Sequence, residues 1–562
     1  MKRTSLAVLM IALAIVALAA PLAFAQAPAP KVTINGLIDN VTSYSQNISN
    51  FNGGIFNRGD SMWYMRTRGR FDFIGEVGKA KGVLGIELDH VYGQAGSNDS
   101  TINSSGPVTG VTTVNTGFGT DGSFDLNTDS RGIIEIKWLY VEFPVPLIPV
   151  PTIARLGAQP FGSLANYKLA VYATGDFPGI SVTSQITPNV KLVGTYVQVE
   201  ENLVGTGSKT NLAGPFGISN TQNRGDDYAF IFAPEITPFK GLDIKPMFSQ
   251  FYAQGTTSPN ARQGRGGLNT STAYTNPDGS SHGSMNEYRY TVGADARLRM
   301  GPFSLDPTFL YQFGNRASLS PATFAPSGAI TGRRYNPNID AWLTDIRAGY
   351  QLGPLLIEGL AMYTTGNSKR NNALGTGTSD GTIRYFQPLD LDTGYLADWG
   401  SSLTSLGIDY LNAWNEAQGR IAYPGVAIGW DKYGRAQLGL KATYALTPSL
   451  SFMAGGNLHW AAEKVDRDGS VIAGGAGTGI TPAFAGPTPR GNHGGWGVGS
   501  DRFIGTEFQA QISWRFADGL VWDNQFGYMI MGPALDGVTD PAAGGRNTKD
   551  PFMLTSRVRF TF

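Results

Sequence analysis

The chain has 562 residues, 74 of them glycine and none cysteine, and its 43 lysines and arginines balance 43 aspartates and glutamates. That balance gives no electrostatic case for nucleic acid as a partner. The lack of cysteine excludes disulfides, thiolate metal sites and C-x-x-C-H haem attachment, and an aromatic content of 11% excludes a disordered chain.

In chain order, the first element is a targeting segment. Lys2 and Arg3 precede the apolar run "LAVLMIALAIVALAA", and "AFA" at Ala23–Ala25 reads as a cleavage site before Gln26. Residues 1–25 are therefore expected to be a signal peptide and 26–562 the mature chain, with 41 basic and 43 acidic residues. Gln26 in place of cysteine excludes a lipid anchor there. No later stretch reaches 18 consecutive apolar residues, so no membrane helix is expected. An exported chain can still cross a membrane as a closed barrel, where every strand finds a partner.

The rest of the chain alternates apolar and polar residues with period 2. Strands are expected near 32–44, 61–76, 81–93, 131–143, 152–160, 179–186, 190–199, 226–236, 242–253, 287–300, 303–313, 339–352, 355–365, 434–446, 450–461, 503–516, 520–531 and 551–562. The alternation blurs near 152–186, where the alternative is sixteen strands. Connections fall into two classes that largely alternate. "GK" at 78–79, "TPN" at 187–189, "FKG" at 239–241, "GP" at 301–302 and 353–354, "TPS" at 447–449 and "ADG" at 517–519 are very short. The others, such as 94–130, 254–286, 366–433 and 462–502, are long and polar. The pattern predicts an all-β fold: a single transmembrane antiparallel β-barrel of about 18 strands, with short periplasmic turns and long extracellular loops.

One stretch tests the register. In "WYMRTRGRFDF" (63–73), Arg66, Arg68 and Arg70 alternate with Met65, Gly69, Phe71 and Phe73. With Gly78-Lys79 as a hairpin turn, Phe73 faces Leu84, Phe71 faces Ile86 and Gly69 faces Leu88, while Arg70 faces Glu87 and Arg68 faces Asp89. One register thus sorts two strands into an apolar and a charged face, and a one-residue slip would undo it. An arginine on the lipid side at mid-bilayer costs about 2–4 kcal/mol, so the charged face should look into the lumen. The residues expected to line the pore are Arg66, Arg68, Arg70, Asp72, Glu87, Asp89, Arg289, Asp295, Arg297, Arg299, Asp306, Asp345, Arg347, Lys441, Glu507, Arg557 and Arg559. Among them, Asp306 is expected to face Arg297.

The chain ends in "FMLTSRVRFTF", a strand with a C-terminal phenylalanine, Phe562. Signal segment, strand pattern and this ending resemble bacterial outer-membrane porins over the whole chain. "ARLGAQPF" (154–161) and "IGTEFQAQISWRFADGL" (504–520) resemble segments of large porins of the alginate-export and carbohydrate-porin kind. The resemblance implies the outer membrane, with its lipid and lipopolysaccharide as surroundings. It implies handling by the barrel-assembly machinery through the last strand, homotrimers, and small hydrophilic solutes as cargo. It also implies a constriction loop, at about 162–178 or within 366–433.

Catalytic patterns are missing. His282 and His493 sit in glycine-rich loops and His90 and His459 near strand ends, so all four read as loop or interface histidines. No nucleophile, base and acid show motif spacing, and neither a phosphate loop nor H-E-x-x-H occurs. "DRDGS" (466–470) starts like a calcium loop but reads better as turn chemistry. Asp390, Asp392 and Asp398 beside Tyr395 and Trp399 could hold a cation or a sugar, though a folded loop explains them more simply. The expected function is a non-enzymatic porin, without metal or cofactor, for passive diffusion of small hydrophilic solutes or ions. The alternatives are a channel selective for saccharides or anionic polymers, or a sheath around an electron-transfer partner.

Overall fold

The structure is a computed structural model. It describes residues 29–47, 61–92, 122–124, 134–200, 227–254, 274–275, 281–282, 286–316, 318–319, 334–335, 338–366, 382–389, 399, 434–464, 501–533 and 550–562. The expected signal peptide, His493, the 466–470 turn and the 390–398 acidic cluster lie outside them, as does the side chain of His282.

Eighteen long strands follow one another: β1 (Lys31–Gln46), β2 (Ser61–Val77), β3 (Ala80–Tyr92), β4 (Ile134–Pro144), β5 (Thr152–Pro160), β6 (Asp176–Thr187), β7 (Val190–Glu200), β8 (Asp227–Phe232 and Glu235–Phe239), β9 (Leu242–Gln254), β10 (Asn286–Met300), β11 (Phe303–Arg316), β12 (Asn338–Leu352), β13 (Leu355–Thr364), β14 (Arg435–Thr447), β15 (Leu450–Trp460), β16 (Phe503–Ala517), β17 (Leu520–Met531) and β18 (Phe552–Thr561). Each pairs antiparallel with the next. β18 pairs back on β1, from Leu37 opposite Thr561 to Gln46 opposite Phe552, which closes the barrel. Gly36 and the terminal Phe562 exchange backbone hydrogen bonds of 2.9 and 3.1 Å at the seam. The blurred region near 152–186 forms two full strands, β5 and β6, so the count is eighteen and not sixteen. β8 is interrupted at Pro234, which has no N–H for the ladder.

The β2–β3 hairpin has the register expected from the sequence, with Arg70 opposite Glu87, Arg68 opposite Asp89 and Phe73 opposite Leu84. Gly78 takes φ +61° while Lys79 stays at negative φ, the type II′ pattern that matches strand twist. Gly301 and Gly353 open the two "GP" turns in the same conformation, at φ +56° and +57°. Three further turns, before Val190, Leu450 and Leu520, are preceded by a bulge.

The outer wall is apolar, with Phe73, Phe248, Phe309, Ile346, Leu440, Ile512 and Leu554 all exposed. Aromatic rings gather at both rims. Tyr196, Tyr228, Tyr252 and Tyr288 form a chain of ring contacts near the long connections, and Trp514, Phe516 and Trp522 cluster near the short turns.

Candidate functional site

Among the described residues, two inward-folded stretches and the buried Trp399 lie against a charged inner wall. Between β5 and β6 the chain makes a single helical turn, α1 (Gly162–Ala165), and then a 3-10 turn (Lys168–Val171). Phe161 N–H donates to Gly175 O at 3.1 Å and closes the neck of this segment. Its tip reaches strands three to six places beyond β6. The Tyr172 hydroxyl meets Ser249 on β9 at 2.7 Å, and Lys168 meets Thr308 on β11 at 2.6 Å. A connection between neighbouring strands can touch such distant ones only by crossing the interior. The polar side chains it meets therefore point inward.

The crossing is held by apolar and polar contacts together. Leu164, Leu169, Val171 and Tyr172 pack on Ile231, Met247, Phe251, Leu310 and Leu343 of the wall. Lys168 donates to Asp306 O at 2.5 Å and Asp345 O at 3.0 Å, and lies 3.4 Å from the Asp295 carboxylate and 3.8 Å from that of Asp345. Burial pulls the Lys168 ammonium below the usual lysine range, and the two aspartates oppose that pull. Arg297 donates to Asn166 O and stacks 4.3 Å over the Tyr167 ring. Burial first, then Glu235 and Asp243, pushes the Tyr167 phenol up to about 12. A second inward stretch, residues 382–389, meets the first where Leu389 N–H donates to Tyr172 O at 2.8 Å. Its Gln387 accepts from Arg289 at 2.9 Å.

On the other side of the barrel the arginine ladder is paired, with Arg66 and Arg68 buried and Arg70 half-buried. Arg68 forks onto Asp89 at 2.6 and 2.5 Å, and Arg70 donates to Glu87. Asp39 on β1 takes Arg66 at 3.3 Å and Arg557 at 2.6 Å. Lys137 bridges Glu87 at 3.6 Å and Asp176 at 3.0 Å, and Arg559 meets Asp523 at 2.6 Å. Asp72 accepts from Trp138 Nε1 at 2.8 Å. That indole lies across Gly85, where an added Cβ would stand 2.0 Å from Nε1. Gly85→Ala should therefore push Trp138 off Asp72 and cost about 1–3 kcal/mol. A lower thermal midpoint together with an altered Trp138 emission, against a Trp138→Phe background, would check it.

The remaining expected residues fall into small networks. Asp295 accepts from Thr308 at 2.5 Å, Asp345 is forked by Arg347 on its own strand at 3.0 Å, and Lys441 lies 3.3 Å from Glu358 and 4.5 Å over Trp399. Asp306 is level with Arg297 in the β10–β11 register. Its carboxylate is nevertheless taken by Arg299, because the Arg297 guanidinium is occupied by Asn166 and Tyr167. His459 is not a loop or interface residue. It is buried between Arg435 at 3.1 Å and Glu507 at 3.0 Å. His90 is buried as well.

Sequence reasoning missed Asp39, Lys168, Lys245 and Arg435. Asp243 and Lys245 alternate in "LDIKPMF" just as the arginines do, so that pair was readable. The inner apolar patch also left a signal. In "DYAFIFA" (227–233) both faces are apolar, which in a water-filled barrel means that something covers the inner one.

No family model matches the chain, and no curated protein matches it. Among solved structures it is similar to Pseudomonas aeruginosa OccK5 (OpdH), at 10% identity over 94% of this chain and 98% of that one, TM-score 0.40. It is also similar to Acinetobacter baumannii OccAB1, at 12% identity over 94% and 96%, TM-score 0.44. A BenF-like porin from Pseudomonas fluorescens Pf-5 shares 11% identity over 95% and 98%, TM-score 0.44.

Proposed function

We propose that the chain is an outer-membrane porin, a wet barrel through which small hydrophilic solutes or ions diffuse passively. The observation that carries this reading is the arrangement of the wall. Its outer face is apolar between two aromatic rims, as a bilayer requires, and its inner face holds charges of both signs. A protein core tolerates few such groups. In this reading the arginine ladder, its acidic partners and the charges of β10 to β18 line the pore. The segment from Phe161 to Gly175 and residues 382–389 narrow it. The signal peptide brings the chain to export, and the last strand delivers it to the assembly machinery.

Purified protein in a planar bilayer should give stepwise ion currents. Correctly folded barrel that inserts without conducting would overturn the reading. Because the ladder is balanced, we expect only a mild preference between potassium and chloride, read from the reversal potential across a salt gradient.

A further inference from the structure

The crossing segment does not fill its side of the barrel. Between α1 and the inner face of β5 to β8 lies a cavity of about 240 Å³. That is just below the roughly 300–1,000 Å³ of sites for drug-sized ligands. Its lining is split between apolar and polar side chains. Phe161 and Phe177, with ring centroids 4.1 Å apart, form an aromatic corner. Thr183, Thr195 and Asn166 bring two hydroxyls and an amide, and none of these three side chains makes a hydrogen bond among the described residues. Arg155 spends its Nε and Nη2 on Glu142, at 3.0 and 2.6 Å, and turns Nη1 toward Gly162.

Uncommitted donors and acceptors above an aromatic corner suit a solute with hydroxyls on its edge and C–H groups on its face. Charge narrows the choice. Glu142 holds the Arg155 fork in the lining and is itself braced by Lys81 at 2.7 Å, so a carboxylate solute would have to compete with a fixed acid for the guanidinium. A cation would meet the guanidinium. From this geometry we infer that the cavity is a binding subsite for a neutral polyol of monosaccharide size, held beside the constriction by Thr183, Thr195, Asn166 and Arg155. The inference rests on the porin reading and names the solute class that the constriction would retain.

D-glucose is the probe, with D-gluconate as its anionic counterpart. Two measurements are made on the same purified protein: ion current in a bilayer as each solute is added, and saturable binding to detergent-solubilised barrel by calorimetry. Glucose should bind saturably and interrupt the current, and gluconate should bind at least about tenfold more weakly, the discrimination one lost charge-assisted contact gives. Thr183→Val with Thr195→Val keeps the volume and removes both hydroxyls, and should weaken glucose by a similar factor. Gly162→Leu fills the cavity, since only Arg155 Nη1, at 3.9 Å, approaches a Cβ there. It should abolish glucose binding in a barrel whose circular dichroism is native. Conducting wild-type protein that binds no glucose, binds gluconate as tightly, or binds glucose equally well in the Gly162→Leu variant would overturn the subsite and leave the porin reading standing. Absence of current overturns the porin reading itself.

Discussion

Replacing Lys168 with methionine should raise single-channel conductance and current noise and lower the thermal midpoint of the barrel. The Lys168 ammonium donates to Asp306 O, Thr308 Oγ1 and Asp345 O, and it faces the buried carboxylates of Asp295 and Asp345. Methionine keeps the length and apolar character of the stem but removes every one of those contacts. Asp295 Oδ2 has no hydrogen-bond partner even with the lysine in place, and removing one member of a buried ion pair costs about 3–5 kcal/mol. The segment should stay in the interior, because Leu169, Val171 and Tyr172 still pack on the wall. It should, however, loosen at its Lys168 end and sample wider openings. Tyr172→Phe probes the other anchor. It loses the hydroxyl contact to Ser249, worth about 1 kcal/mol, and should change conductance less. A lower thermal midpoint with unchanged conductance and noise would mean that Lys168 only braces the wall. The idea that it latches the constriction would then fail.

The wall was readable from sequence and the interior was not, for a physical reason. A strand's two faces repeat every second residue, and the lipid cost of a misplaced arginine fixes which face is which. Arg68 with Asp89 and Arg70 with Glu87 could therefore be paired from spacing alone. The crossing segment obeys no period. "FGSLANYKLAVYA" makes one helical turn and one 3-10 turn, too short to leave a 3.6-residue stripe, and its lysine finds hydrogen-bond partners 138 to 177 residues away. Pairing between strands is local and repetitive, whereas the fit of Lys168 to β11 and β12 depends on barrel diameter. Arg299 taking Asp306 in place of Arg297 has the same origin, since the Asn166 backbone oxygen and the Tyr167 ring of the crossing segment occupy Arg297. His459 sits in a regular strand and was still misread. Its neighbours Arg435 and Glu507 come from the adjacent strands, and Arg435 lies just beyond the long stretch 366–433 that hid the β13–β14 pairing.

Replacing Arg66, Arg68 and Arg70 together with glutamine should shift the reversal potential toward cations and destabilise the barrel. Arg66 and Arg68 are only 7% and 8% exposed, so they do not act on passing ions as free surface charges. They act by neutralising Asp39, Asp89 and Glu87. On this arc of wall the cations Arg66, Arg68, Arg70, Lys137, Arg557 and Arg559 stand among the anions Asp39, Glu87, Asp89, Asp176 and Asp523, with Asp72 held by Trp138 and Glu135 opposite Glu87. Removing three of the cations makes the arc three charges more negative, with Asp39 left to Arg557 and Glu87 to Lys137 among its carboxylates. Their field reaches about 8–10 Å at 0.10–0.15 M salt, so the shift should grow as the salt is diluted. Each broken buried pair costs about 3–5 kcal/mol, with sums below additivity because Glu87 is shared by Arg68, Arg70 and Lys137. The matched control is Arg68→Met with Asp89→Leu. It deletes a whole pair, leaves no orphan charge and should keep the wild-type reversal potential at a much smaller loss of stability. A triple variant that melts early yet keeps its reversal potential at low salt would leave the ladder a wall-building device with no part in selecting what passes.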